Sequence, residues 1–120
     1  FGDAIRTYAN TGAEDATDLS TVSLSLPMFA AYADGYLSQQ AQKLNQAELD
    51  HLAFSARYIT FEQVLRFLMD YINGDTYYKI KSPLHNLERT HAQYALLQSI
   101  EAQYDEMCEV IKQTTAKYLA

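Results

Sequence analysis

Three groups of residues in this sequence have the types and spacing to do chemistry. The first is a pair of motifs, Glu48-x-x-His51 and Glu88-x-x-His91. A carboxylate and an imidazole three residues apart share one helix face, and two such motifs are part of the ligand set of di-iron helix bundles. That set also needs a carboxylate from each of two further helices. The segments available offer only Asp34 and Asp3. Both motifs open their helices, so in an antiparallel pair His51 and His91 fall roughly 30 Å apart by helix rise. Capping or surface roles fit better, and no metal ligand is assigned. The second is Cys108, which lies on an apolar seam and reads as a buried, inert thiol. The third is Arg66 with Asp70 and the loop Asp75-Thr76-Tyr77-Tyr78. Arg66 and Asp70 stand four apart, the spacing of a local ion pair worth about 0.3–0.5 kcal/mol. The other reading turns Arg66 across the helix end towards the tyrosines, where guanidinium and phenol can hydrogen-bond a sugar or a carboxylate. Arg66 and Tyr77, with Tyr78 as the neighbouring alternative, are the candidate substrate-binding residues. There is no Gly-rich phosphate loop, no H-E-x-x-H and no G-x-S-x-G; no catalytic or cofactor-binding residue is assigned.

The element that must position Arg66 runs from Asn45 to Gly74. Asn45 with Glu48 is a capping-box pattern, and Gly74 follows the last apolar position, where a left-handed residue is wanted. The apolar stripe changes face midway. Leu49, Leu52, Ala53, Ala56 and Ile59 lie on one side; Phe61, Val64, Leu65, Leu68 and Ile72 lie nearly opposite. The segment reads as one continuous or weakly kinked helix, since neither Gly nor Pro interrupts it. A break near Thr60, which repeats the capping-box spacing with Gln63, is the alternative. A helix apolar on opposite faces along its length belongs inside an assembly.

The other elements follow from the same signals. Residues 1–9 read as a short helix with Ile5 and Tyr8 inward. Residues 10–24 form an acidic loop rich in turn residues, a length that is commonly functional or pinned to a partner. A helix spans about Ser25 to Lys43, with Pro27 in its first turn and Phe29, Tyr32, Ala33, Tyr36 and Leu37 on one face. Gly35 lies mid-helix, which close approach of another backbone would explain. After the Tyr-rich loop 74–82, Ser82-Pro83 opens a last helix to about Lys117. Its seam of Leu97, Ile100, Tyr104, Met107, Ile111, Thr114 and Tyr118 should pack lengthwise on another helix. The expected fold is a single all-α domain: two long antiparallel helices with shorter helices packed on them.

Composition narrows the partners. Of 120 residues 48% are apolar, enough for one core, and no 18-residue apolar run suggests a membrane span. The net charge of −6, with nine scattered basic residues, argues against nucleic acid and anionic membrane. One cysteine cannot make an internal disulfide, and the cytoplasm is the expected compartment. The start at Phe1 rather than Met suggests a fragment or a processed chain.

Longer motifs carry a resemblance. FGDAIR, N-x-G-x-E-D-x-x-D-L from Asn10 to Leu19 and GYL from Gly35 to Leu37 come first. IT-x-E-x-x-x-RFL-x-DYI-x-GD-x-YY from Ile59 to Tyr78 and HNLERTHAQ-x-x-LL-x-SIE from His85 to Glu101 follow. Together they resemble the C-terminal half of aminoglycoside-phosphotransferase-like enzymes, and within them the N-acetylhexosamine kinases. Sequences of this kind also carry the label mucin desulfatase, although no sulfatase-type Cys or Ser consensus is present. The resemblance implies a helical, substrate-side part of an ATP-dependent sugar kinase, acting on an anomeric hydroxyl in the intact protein. It implies that ATP and Mg²⁺ are held by an N-terminal lobe and loops preceding the FGDAIR block, so that this chain alone does not turn over substrate. It also implies that Arg66 and Tyr77 contact the sugar, and it sets Asp3 and Arg6 beside the metal loop; these two read as structural, an acid in the first turn of a helix and a local pair. The missing lobe and the sugar are the implied partners. A non-enzymatic helical module, dimerising through the 97–118 seam or other exposed apolar surface, is the alternative.

Overall fold

Capping chemistry starts the central element where the sequence asks. The Asn45 side chain accepts from the Glu48 N–H at 2.8 Å, and the Glu48 carboxylate accepts from the Asn45 N–H at 3.0 Å. The computed structural model describes residues 1–119. Its helices are α1 (Gly2–Tyr8), α2 (Leu26–Gln40), α3 (Gln46–Asp50), α4 (Leu52–Ile72), α5 (His85–Ala102) and α6 (Tyr104–Leu119). A 3-10 turn lies at Leu19–Thr21, and Asn10 and Leu24 form an isolated antiparallel bridge. The fold is all-α. α4 and α5 are the two long helices, and their partners run in opposite senses: Arg57 faces Glu101, whereas Asp70 faces Asn86.

The spine is continuous through Thr60 but breaks at His51. Thr60 is buried and its hydroxyl donates to the Ala56 carbonyl at 2.7 Å, so it stays inside the helix rather than capping a new one. At His51 the ring Nδ1 takes the Ala47 carbonyl at 2.7 Å. The His51 N–H, which that carbonyl would bind in a continuing helix, goes to Glu48 instead. The expected last helix also breaks. The Gln103 N–H is shared between Ser99 and Ile100, and its side-chain amide donates to the Leu24 carbonyl at 3.0 Å. α5 begins at His85, with Ser82 giving only its carbonyl to the His85 N–H, so Ser82 is not the cap. α2 ends at Gln40, short of Lys43.

One apolar core fills the space between α1, α2, the N-terminal half of α4, the C-terminal half of α5, and α6. Ile5, Phe29, Leu37, Leu96, Ile100 and Met107 are its fully buried large side chains. Gly2 lets α1 touch α4 directly: a Cβ there would lie 2.5 Å from the Ser55 carbonyl carbon. Gly35 has no such neighbour. It faces open space, so close approach does not explain it. Tyr8 is half-exposed and rests on the Tyr32 ring, 5.4 Å between centroids, rather than pointing inward. The 97–118 seam is real, but it changes partner at Gln103. Leu97 and Ile100 are buried on α5, while Met107 and Ile111 are buried on α6, which lies mainly along α2. The buried residues of the seam are therefore covered within the chain.

The acidic loop 10–24 is pinned to the chain itself. The Leu24 N–H donates to the Ser99 hydroxyl at 2.9 Å, and Arg6 pairs with both Asp3 and Glu14. Asp15 accepts from His85 Nε2 at 2.7 Å. The other ring nitrogen of His85 accepts the Lys81 N–H at 3.1 Å, which fixes the tautomer with the proton on Nε2. The hydrogen bond from His85 holds the Asp15 carboxyl below its ordinary range. No helix among the described residues is long and apolar enough to cross a membrane.

Candidate functional site

The candidate residues meet at the C-terminal end of α4. Asn73 caps this helix and Gly74 follows at φ 91°. The Gly74 N–H bonds back to Tyr71, and the Asp75 N–H to the Asp70 carbonyl at 2.7 Å. This is the Schellman arrangement, and it reverses the chain within three residues. Asp75 then takes a left-handed backbone at φ 61°, which Asp tolerates better than most residues.

The loop that follows is held by one buried carboxylate. Asp70 Oδ1 accepts the Tyr77 N–H at 2.8 Å, and Oδ2 accepts the Tyr78 N–H at 3.0 Å. The Asn86 side-chain amide, from α5, donates to Asp70 at 2.7 Å and to Asp75 at 3.0 Å. Burial pulls the Asp70 carboxyl upward. The Tyr78 and Tyr77 amides, with Asn86, outweigh it and hold the group below its ordinary range. Arg89 completes the clasp, donating to the Asn86 side-chain Oδ1 at 2.9 Å and to the Lys79 backbone carbonyl at 3.0 Å.

This framework brings Arg66, Tyr77 and Tyr78 together. The Arg66 guanidinium carbon lies 5.8 Å from the Tyr77 ring centre and 5.9 Å from that of Tyr78. Such cation–π contacts stabilise by about 0.5–1 kcal/mol at exposed positions. The two rings meet edge to face at 4.9 Å, and Tyr78 rests on Phe67 at the same distance. Tyr78 is thus the supported platform, whereas Tyr77 is 73% exposed. Arg66, Met69, Asn73, Thr76 and the two tyrosines line an open hollow of ≈ 280 Å³. The Arg66 to Asp70 ion pair expected from spacing does not form. Arg66 has only a loose 3.7 Å pair with Glu62, because Asp70 is committed to the loop amides. Most of the guanidinium N–H donors therefore face the hollow or solvent.

Asp70 stands in the sequence only as a neighbour of Arg66, and Asn86 and Arg89 carry no mark there of the part they play in building this site. One signal was present. A carboxylate in the last turn of a helix opposes the helix dipole, so Asp70 needed another reason to be there. The remaining candidates lie elsewhere. His51 is spent on the Ala47 carbonyl and His91 is exposed beside the loop residues Thr17 and Leu19. Asp34 bonds Lys117 and Tyr118. No group of three or more His, Cys, Asp or Glu gathers among the described residues. Cys108 is half-buried rather than buried, because it turns about 100° off the Met107–Ile111 face towards a cleft shared with Leu49 and Lys112. No protein-family model matches this sequence.

Proposed function

We propose that this chain is the substrate-side helical part of an ATP-dependent sugar kinase, and that the hollow at the end of α4 orients the sugar. The observation that carries the reading is the convergence of Arg66 with Tyr77 and Tyr78 on a loop pinned by Asp70. A guanidinium with free N–H groups binds sugar hydroxyls or a carbonyl, and an aromatic face packs on the apolar side of a pyranose ring. An N-acetylhexosamine, with an amide carbonyl and several hydroxyls, suits this set. The residues contribute positioning, not bond-making. On the resemblance, the nucleotide and Mg²⁺ belong to the lobe that precedes the FGDAIR block, and no step of phosphoryl transfer is assigned to residues here. The test is sugar-dependent ATP consumption by the longer protein that this reading implies. Arg66→Ala should raise the acceptor KM at least tenfold. Unaltered KM and kcat would show that Arg66 has no such role.

A second reading is a helical module that associates through exposed apolar surface. One observation favours it: the outer face of α4 is apolar and exposed along most of its length.

A further inference from the structure

The second face of α4, the one left without a partner by the core, is regular. Phe54, Tyr58, Phe61, Leu65, Leu68 and Ile72 recur at intervals of four and three, the 3.5-residue period of a coiled-coil seam. Directly opposite them, Ala56, Gln63 and Asp70 turn towards the body of the chain, and Ala56 and Asp70 are buried. Leu68 is half-buried; Phe54, Tyr58, Phe61, Leu65 and Ile72, with Met69 on the margin of the stripe, are each between 41% and 70% exposed. Taking about 150–200 Å² for each large side chain, the stripe with Met69 presents roughly 500–600 Å² of apolar side-chain surface. One partner in a standard interface gives about 800 Å², and a homodimer interface is about 65% apolar. The apolar demand is therefore about 500 Å² per partner, which the stripe meets together with Met69.

We propose that α4 pairs with α4 of a second copy of this chain, antiparallel, about a two-fold axis level with Gln63. In that register every position of the stripe finds a partner: Phe54 meets the partner's Ile72, Tyr58 the partner's Leu68, and Phe61 the partner's Leu65. A self-complementary surface of this kind is what an isologous dimer requires. The charges agree. Glu62 and Arg66 flank the stripe on one side, 3.7 Å apart and both part-exposed. The two-fold sets each Arg66 within about 3 Å, along the helix axis, of the partner's Glu62. Along that edge the order is Arg66, the partner's Glu62, Glu62 and the partner's Arg66, so each arginine neighbours an opposite charge and flanks the two glutamates at the axis. This inference does not rest on the sugar-binding reading.

Sedimentation velocity of the 120-residue chain between about 1 and 200 µM tests it, with circular dichroism to confirm folding. The unaltered chain should dimerise. Phe61→Glu, at a half-exposed position, should give a folded monomer. Glu62→Arg and Arg66→Glu each make the four charges alike and should weaken the dimer at least tenfold. The double variant, Glu62→Arg with Arg66→Glu, restores an opposite charge beside each end of that edge and should regain most of the affinity. A wild-type monomer throughout overturns the proposal, including one whose stripe is covered only by another segment of a longer protein. So does a dimer indifferent to Phe61→Glu. Single charge variants without effect, or a double variant as weak as the singles, overturn the antiparallel arrangement.

Discussion

The α4–α5 pair is held together in two different ways at its two ends. Near Arg57 and Glu101 the contact is apolar: Leu52, Ala53, Ala56, Leu96 and Ile100 are buried with side chains of α1, α2 and α6. Near Asp70 and Asn86 it is polar. Asp70, His85, Asn86 and Thr90 are buried there, and Phe67 is the buried apolar residue among them. Apolar burial is non-directional and roughly proportional to area, so it supplies stability without fixing one loop geometry. Hydrogen bonds to a buried carboxylate also fix position, because a misplaced partner leaves a buried group unsatisfied. The candidate site sits at the polar end. The chain thus separates what keeps it folded from what places Arg66, Tyr77 and Tyr78.

That separation can be broken most severely at the apolar end. Leu96→Ala or Ile100→Ala, both at fully buried positions, should cost about 2–5 kcal/mol in urea unfolding. While the protein remains folded, the amides of Tyr77 and Tyr78 should stay protected from hydrogen exchange. At the polar end the pattern should invert. Asp70→Ala leaves two loop amides and the Asn86 side chain without their acceptor. The Tyr77 and Tyr78 amides should then exchange at least tenfold faster, with a fall in Tm of roughly 5–10 °C. Faster exchange in Leu96→Ala but not in Asp70→Ala would erase the distinction.

Acid provides a milder probe of the polar end. Asp70 and Asp15 both titrate below the ordinary carboxylate value of 3.8. A carboxyl depressed in the native state contributes stability that is complete above the unfolded value and drains away as pH falls through the native one. Loop protection at Tyr77 and Tyr78 should therefore be complete above about pH 4 and drain away only as pH falls further below it. In Asp70→Asn that acid-dependent loss should disappear from the loop. The smallest effect is expected away from both ends. Gly35 is exposed, mid-helix and without a neighbour where its Cβ would be, so Gly35→Ala should raise stability by about 1 kcal/mol. Urea unfolding reads this directly, and a loss of stability would mean that Gly35 has a role its surroundings do not reveal.

The apolar end was legible in the sequence, and the polar end only in outline. Helical spacing placed Phe29, Ala33 and Leu37 on one buried face, and the Asn45 box and Gly74 set the ends of the spine, because each of those signals is local. The two apolar faces of α4 were also legible, although nothing in the order of residues said which one the chain itself would cover. The breaks at His51 and Gln103 were not. The first arises when a ring nitrogen displaces a backbone N–H from one carbonyl, and the second from an amide that reaches Leu24, far away in sequence. The role of Asp70 was hidden for the same reason. A local i, i+4 partner is visible in a sequence, whereas two loop amides and Asn86 competing for the same carboxylate are not.

Sugar binding by the ordered tyrosine loop is the property on which the proposed role of this chain depends. Titrating an N-acetylhexosamine into ¹⁵N-labelled protein, with Asp70→Ala and Arg66→Ala alongside, measures this residue by residue. Saturable shifts confined to Thr76, Tyr77, Tyr78 and the last turn of α4 are expected, weakened at least tenfold in Arg66→Ala and absent when Asp70→Ala frees the loop. Shifts scattered over other faces, or the same response in all three proteins, would contradict it.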